Sequence, residues 1–374
     1  MHYSDYLELD KILHAQHPES DRRGQPAHDE MLFIVIHQTY ELWFRQLLYE
    51  TDSIIGILRQ PALNDNSPQL QTIVHRLSRC ATILKVLVHQ IDIMETMTPM
   101  DFLDFRDMLR PASGFQSWQF KLLEARLGLK YEHRFGQQYY LSQLRQPEID
   151  IIRAAEAEPS LLQLLNSWLE RMPSVWTSGR RPQPSEGEGC DREGASARSS
   201  AEGLQSSDLD EGADRHFWSD YRDRYQQSLA DPEKINGQRF DAMFFDGPAS
   251  TTAGTQPETT ERRSLSPSAC RSALFIMLYR GYPLLQLPFQ VLHQLLEIDE
   301  QLSTWRYRHM SMVHRMIGTR IGTGGSTGKD YLGSALERHH LFKEIAGLTS
   351  FLIERRRLPE LSQEVERRLG FVSA

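Results

Sequence analysis

An apolar stripe at helical spacing, which runs into a glycine-rich loop, constrains this sequence more than any other feature. Large apolar side chains recur at steps of three and four from Leu295 to Met316, which places them on one face of a helix. The pattern predicts a long helix that begins at Pro288 and ends at Gly318. The following segment, GTGGSTG, lets the backbone approach a bound molecule because glycine has no side chain. It lacks the Gly-Lys-Ser/Thr ending of a phosphate-binding loop, and composition alone predicts only a flexible loop.

His309 lies late in this stripe, between Trp305 and Met312. A buried imidazole needs a partner, because an unpaired polar group inside a protein is unfavourable. The spacing leaves that partner open: a carboxylate, a carbonyl group or a metal ion would each serve, and an ordinary core histidine is the simplest alternative. His314 points roughly 140° away around the same helix, so the two histidines cannot share one site.

A second histidine lies in an early helix that is apolar on nearly every side. The helix is predicted from about Glu30 to Leu58 and contains the run MLFIVIHQTYELWFRQLL, which is typical of a helix inside a protein. His37 shares its helix face with Phe33 and Tyr40. A core histidine paired to a neighbouring helix is the alternative to a functional one.

Phe102 and Arg106 lie four residues apart in a helix that opens at Thr98-Pro99 with a capping-box pattern. They therefore share one face. The pair suits a ligand with an apolar ring and a carboxylate, because arginine binds carboxylates bidentately. The alternative is a solvated arginine that packs only its stem.

The overall composition excludes several classes of protein. The chain has 374 residues and a formal charge of −8, so no basic excess points to nucleic acid. Three cysteines, without metal or redox spacing, indicate a reducing compartment. The first residues are too polar for a signal peptide, and no apolar run reaches the roughly 18 residues of a membrane span. These features together predict a soluble, cytoplasmic protein.

The absence of any alternating strand pattern predicts an all-α fold. Gly, Ser, Pro, Glu and Asp dominate from residue 177 to residue 215, a composition typical of disorder. We therefore expect an N-terminal helical part over 1–176, a largely disordered insertion over 177–262 with helix near 216–246, and a C-terminal helical part of the same domain over 263–374. The last helix is predicted over 330–357.

Four segments, in this order, resemble the signature blocks of the tryptophan 2,3-dioxygenase family. They are HDEMLFIVIHQTYELWFRQ, DFLDFRDMLRPASGFQSWQF, ERRSLSPSACRSALFIMLYR and LLEIDEQLSTWRYRHMSMVHRMIGTRIGTGGSTG. The resemblance covers roughly residues 2–172 and 262–345, and the stretch from about 177 to 260 departs from the pattern. It implies an all-helical heme-binding domain that assembles as a homotetramer. The implied reaction joins L-tryptophan and O2 to give N-formyl-L-kynurenine, the first step of tryptophan degradation by the kynurenine pathway.

The resemblance also implies how the heme is held. The histidine directly after Trp-Arg-x-Arg is the family's iron ligand and falls on His309, with His314 the poorer match by position. The other ring nitrogen of His309 is expected to bond an acceptor. One neutral imidazole leaves the sixth position of the iron open. The sequence has no Cys-x-x-Cys-His motif, so the heme b is expected to be non-covalent. The remaining residues implied for the heme pocket are Trp305, Gly324 and Gly325.

Roles at the substrate follow from the same resemblance. The substrate-binding residues that it implies are Phe33, His37, Phe102, Arg106, Thr323, Tyr3 and Tyr6. His37 is the catalytic residue and is expected to hydrogen-bond the indole N–H, so that it positions the substrate rather than acting as an obligatory base. Arg106 would hold the substrate carboxylate, and Thr323 would meet the carboxylate and the ammonium group. Tyr3 and Tyr6 would reach into the pocket of the neighbouring subunit.

Two other kinds of function stay open at this point. A heme monooxygenase of the same fold, acting on an indole or a substituted tryptophan, would use all of these residues. A heme or O2 sensor, or a helical scaffold whose histidines are core residues, would need no catalysis. Arg106 and Thr323 favour a substrate with an intact amino-acid end.

Overall fold

The computed structural model describes residues 1–61, 63, 67–131, 134, 141–172, 206–245, 263–321 and 340–370. Every regular element in these ranges is a helix, so the predicted all-α fold is confirmed. The α-helices are α1 (Tyr3–Tyr6), α2 (Leu9–Leu13), α3 (Glu19–Arg22), α4 (Asp29–Leu58), α5 (Pro68–Met94), α6 (Pro99–Arg106), α7 (Trp118–Leu127), α8 (Gln146–Ala157), α9 (Leu161–Leu169), α10 (Ser206–Ser228), α11 (Ile235–Phe244), α12 (Pro267–Leu278), α13 (Pro283–Ile317), α14 (Lys343–Gly347) and α15 (Gln363–Arg368). Short 3-10 helices cover Asp107–Leu109, Gly114–Gln116, Asp231–Glu233, Leu348–Phe351 and Arg355–Arg357.

The chain divides into two compact units. The first unit contains Met1–Trp168, Arg262–Leu265 and Gln290–Ala346. The second unit contains Leu169–Glu261, Ser266–Phe289 and Gly347–Ala374. The core of the first unit is mainly aliphatic and includes Leu47, Ile54, Leu70, Ile73, Leu77, Leu84, Leu123, Leu165, Ile298 and Leu302. The core of the second unit is aromatic and includes Trp218, Tyr221, Tyr225, Phe240, Phe244 and Phe275.

α4 is the central helix of the first unit, where it packs against α5 and α7. Asp29 and Glu30 occupy its first turn, where negative charge is favourable. The Glu30 carboxylate is buried and accepts the backbone N–H groups of Glu19 and Ser20, each at 2.8 Å. These bonds tie the preceding loop to the start of the helix that carries His37.

Local sequence signals fix the start of α6, which carries Phe102 and Arg106, and the end of α7, the next α-helix along the chain. The Thr98 hydroxyl accepts the Asp101 N–H at 3.3 Å, and the Asp101 carboxylate accepts the Thr98 N–H at 2.8 Å, which confirms the predicted capping box. α7 ends at Gly128, whose φ is 139°. A Cβ atom there would lie 2.8 Å from the Leu162 Cβ, so only glycine fits without displacement of that side chain.

The long helix α13 begins earlier than the sequence predicts. It starts at Pro283, and Pro288 lies inside it, so the predicted start at Pro288 is wrong. Both prolines suit an early helical turn, and the Leu284 N–H, which lacks an intrahelical acceptor, donates to the Leu369 carbonyl at 3.2 Å. The predicted end is confirmed, because Gly318 follows Ile317 with a φ of 59°.

The predicted last helix over 330–357 is also wrong within the described residues. Residues 330–339 lie outside them, and α14 is followed by two 3-10 helices. Tertiary hydrogen bonds compete with helix formation here. The hydroxyls of Tyr221 and Tyr225 donate to the carbonyls of Phe351 and Ser350, at 2.7 and 3.0 Å.

The structure describes only part of the predicted insertion over 177–262. α10 and α11 supply helix within the predicted insertion, but residues 177–205 and 246–262 lie outside the described residues. The division into 1–176, 177–262 and 263–374 therefore stays a prediction.

Within the ranges that the structure describes, none of the helices has the length and apolar character needed to cross a membrane.

Candidate functional site

His37 and His309 belong to one site, although 271 intervening positions separate them in the sequence. Burial, followed by the charge of His37, lowers the pKa of His309 to about 4. Burial also lowers the pKa of His37, although the Phe33 carbonyl and the Glu41 charge act in the opposite direction. Both imidazoles are therefore neutral near pH 7. Both side chains nevertheless keep accessible surface, and both lie in the first unit.

The hydrogen bond of His37 defines which of its nitrogens faces a ligand. Its Nδ1 lies 2.7 Å from the Phe33 carbonyl oxygen. A carbonyl can only accept, so Nδ1 carries the proton in the neutral ring and Nε2 is the acceptor. His37 can therefore accept a hydrogen bond from an N–H group of a bound molecule.

An aromatic and methionine cluster surrounds His37. The rings of Phe33 and His37 have centroids 4.1 Å apart, and Phe102 stacks on Phe33 at 5.7 Å. Met312 and Met316 of α13 belong to the same cluster. Helices α4, α6 and α13 thus build one apolar wall, which suits an aromatic ligand.

His309 has the features of a metal-binding imidazole. Its Nδ1 is buried and has no hydrogen-bond partner among the described residues. The prediction that the second ring nitrogen bonds an acceptor is therefore not met there. His314 is exposed and points roughly 140° away from His309 around α13, so it does not share the position of His309. A neutral imidazole is the form that binds iron, so His309 and the apolar wall fit a heme group.

Trp305 supports His309 one helical turn earlier. The indole and imidazole planes lie 8° from parallel, with centroids 5.2 Å apart. Three further rings contact the Trp305 indole: Phe120 at 5.0 Å, Tyr40 at 6.0 Å and Phe44 at 6.4 Å. The burial of Tyr40 raises its pKa to about 12, so its hydroxyl stays protonated and donates to the Leu87 carbonyl.

Arg106 is buried, with 4% of its surface exposed. Its guanidinium donates to the Ile321 carbonyl, and its Nη1 lies 3.7 Å from an Asp107 carboxylate oxygen. A guanidinium has five N–H donors in a planar fork. Because these described partners use only part of that fork, Arg106 can still bind a carboxylate.

The remaining predicted site residues are Tyr3, Tyr6, Thr323, Gly324 and Gly325. Tyr3 and Tyr6 are each 70% exposed on α1. Thr323, Gly324 and Gly325 lie outside the described residues.

The sequence reasoning missed a buried ionic group beside Trp305. The Glu124 carboxylate accepts from Arg306 at 2.7 Å and from Arg134 at 2.5 Å. The signals that could have found it are the position of Arg306 directly after Trp305 and the four-residue step from Phe120 to Glu124.

Comparison with known proteins identifies the family of the chain. The sequence model of the family described as tryptophan 2,3-dioxygenase matches residues 1–181 and 250–352. A tryptophan 2,3-dioxygenase of Alteromonas mediterranea is 42% identical over 393 residues, which cover 99% of this chain and 97% of that protein. A tryptophan 2,3-dioxygenase of Dictyostelium discoideum is 40% identical and covers 99% of this chain and 88% of its own length. The tryptophan 2,3-dioxygenase B of Danio rerio is 38% identical, with 98% and 85% covered. The chain belongs to the tryptophan 2,3-dioxygenase family.

Proposed function

We propose that this protein is a heme-dependent dioxygenase that converts L-tryptophan and O2 to N-formyl-L-kynurenine, the first step of tryptophan degradation by the kynurenine pathway. The single observation that carries the proposal is the convergence of the helices that bear His37 and His309, because Phe33 of α4 and Met312 of α13 pack in one apolar cluster. In agreement with this proximity, the charge of His37 lowers the pKa of His309. Membership of the family over nearly the whole chain supports it.

His309 is the proposed axial ligand of a non-covalent heme b. Its low pKa supports this role, because a protonated imidazole has no lone pair for a metal. Trp305, together with Gly324 and Gly325, completes the proposed heme pocket. When bound, the heme supplies the redox chemistry with O2, and the protein supplies orientation and the exclusion of water.

His37 positions the substrate in this proposal. Its Nδ1 proton is held by the Phe33 carbonyl, so its Nε2 is directed to accept the indole N–H. Phe33 and Phe102, which stack on one another, form one apolar surface on which the indole ring packs. Loss of His37 should then disturb orientation more than the reaction itself.

Arg106 binds the substrate carboxylate, and Thr323 meets the carboxylate and the ammonium group. A buried guanidinium attracts a carboxylate more strongly than an exposed one, because less water screens the pair. This arrangement selects a free amino acid over an indole without an amino-acid end.

The proposed assembly is a homotetramer in which Tyr3 and Tyr6 reach the pocket of a neighbouring subunit. The exposure of both rings supports this role, because large aromatic side chains in water are typical of an interface. A cytoplasmic location stays a prediction that rests on the cysteine usage.

An anaerobic ferrous spectrum with and without L-tryptophan, followed by addition of 18O2, tests the proposed function. We expect a spectral shift with tryptophan and a product that carries two labelled oxygen atoms. One labelled atom would identify the monooxygenase alternative. A heme spectrum that does not respond to tryptophan would identify the sensor, and the lack of a Soret band after hemin supplementation would identify the scaffold.

A further inference from the structure

Glu124 is the centre of a buried ionic group that joins α7 to α13. One carboxylate oxygen accepts from the Arg306 Nη2 at 2.7 Å, and the other accepts from the Arg134 Nη1 at 2.5 Å. The Arg134 Nη2 also donates to the Lys121 carbonyl at 3.0 Å. Glu124 and Arg306 are each only 4% exposed, so water does little to weaken their attraction.

Two residues of α7, one helical turn apart, contact α13, the helix that carries His309. The Phe120 ring meets the Trp305 indole, and the Glu124 carboxylate meets the Arg306 guanidinium. Adjacent residues on a helix point roughly 100° apart. Because Trp305 and Arg306 are adjacent, the two contacts together oppose rotation of α13 about its axis at this level.

The orientation of His309 depends on that rotation. Its imidazole lies nearly parallel to the Trp305 indole, with 8° between the planes. Among the described residues its buried Nδ1 has no hydrogen bond, so the usual device that orients a ligating histidine is not seen there. Packing on Trp305, and through it the position of α13, is the contact in the described structure that orients the ring.

We infer that Glu124 is a positioning residue for the heme: through Arg306 it fixes the turn of α13 that presents Trp305 and His309. The inference rests on the proposed role of His309 as the iron ligand. Glu124 itself touches neither heme nor substrate in this account. Removal of its charge leaves Arg306 and Arg134 buried with a weakened common partner, and α13 becomes free to rotate by a small angle.

The variant Glu124→Gln tests the inference, because it keeps the size of the side chain and removes the charge. Glu50→Gln is its matched control. The Glu50 carboxylate is also buried, pairs with Arg79 at 2.6 Å and lies 3.8 Å from Arg76, and accepts from Gln46. These partners lie on α4 and α5, so the control removes an equivalent buried charge without the link to α13.

The measurement is the rate at which the purified ferric holoprotein releases hemin to excess apomyoglobin, together with the iron–histidine stretching frequency of the ferrous form. Glu124→Gln should release hemin about 10-fold faster than the unaltered protein, as when an outer partner of a metal ligand is lost, and should shift the stretching frequency. Glu50→Gln should match the unaltered protein in both, even where its melting temperature falls equally.

Arg306→Lys provides a second route if Glu124→Gln does not fold. It keeps the charge but loses the planar donor fork, and it should also accelerate hemin release. Unaltered release and stretching frequency in Glu124→Gln, or in Arg306→Lys where only that variant folds, would overturn the inference while the proposed function stands. If His309→Ala releases hemin as slowly as the unaltered protein, His309 is not the iron ligand. Both the proposed function and the positioning role of Glu124 would then fail.

Discussion

The Trp305 indole lies parallel to the His309 imidazole, with 8° between the ring planes and 5.2 Å between the centroids. The two residues are one turn apart on α13, which allows their side chains to meet. Phe120, Tyr40 and Phe44 contact the indole from other helices of the same unit. Among the described residues, the ring plane of His309 is thus defined by packing on Trp305.

Replacement of His37 by alanine should reduce turnover without abolishing it. The neutral ring offers Nε2 as an acceptor to the indole N–H, and loss of one such bond should lower kcat/KM about 10- to 100-fold. Steady-state kinetics with L-tryptophan measure this effect. A variant with no detectable turnover and normal tryptophan binding would show instead that His37 is an obligatory base.

Replacement of Arg106 by lysine should weaken selection of the amino-acid end. Lysine cannot reproduce the bidentate contact with a carboxylate, so KM for L-tryptophan should rise about 10-fold or more. Binding of tryptamine, which has no carboxylate, is the internal control and should change little. Equal losses for both compounds would mean that Arg106, which also holds the Ile321 carbonyl, acts only on the fold.

Tyr3 and Tyr6 should act in a neighbouring subunit, which a mixed assembly can test. A Tyr3→Ala/Tyr6→Ala protein and an Arg106→Ala protein should each have little activity. Co-expression should restore part of it, because an intact Arg106 pocket can then receive intact tyrosines from another chain. Since both tyrosines are 70% exposed, the double variant should lose no more than about 0.5 kcal/mol of protomer stability. Mixed assemblies without any recovered activity would place the tyrosines in their own chain or outside the site.

The thiols of Cys80 and Cys270 should be unreactive in the native protein. Both are buried and neither forms a disulfide, and burial raises the pKa of Cys80 to about 12. Only the thiolate is nucleophilic, and a raised pKa keeps the thiol protonated at pH 8. A Cys190→Ser variant should therefore react with Ellman's reagent only after denaturation, with two thiols then accessible. Rapid labelling of the native variant would contradict this burial.

Local signals in the sequence were sufficient for much of the fold. Ser67-Pro68, Thr98-Pro99 and Ser266-Pro267 each mark a helix start that the structure has at the same place, because cap and first-turn chemistry is local. The start of α13 was harder, because Pro283 and Pro288 both suit an early turn. The segment after Leu341 depends on distant tyrosine hydroxyls, which no local pattern reveals.

The candidate site likewise combines local contacts, which the sequence predicts, with distant contacts, which it does not. His37 meets Phe33, and Trp305 meets His309, because each pair lies four residues apart on one helix. The contact of Glu124 with Arg306 joins residues 182 positions apart. The burial of the His309 Nδ1, without a hydrogen-bond partner in the described part of the chain, depends on the helices around it. Such features are set by tertiary packing, and spacing alone does not contain them.

The most direct test of the whole account is the absorption spectrum of a His309→Gly variant, compared with His314→Gly, before and after addition of free imidazole. Only the His309 variant should have a weakened and shifted Soret band, and imidazole should restore it by replacing the missing ligand. An unchanged Soret band in His309→Gly, or loss of the band in His314→Gly alone, would contradict the claim that His309 holds the heme opposite His37.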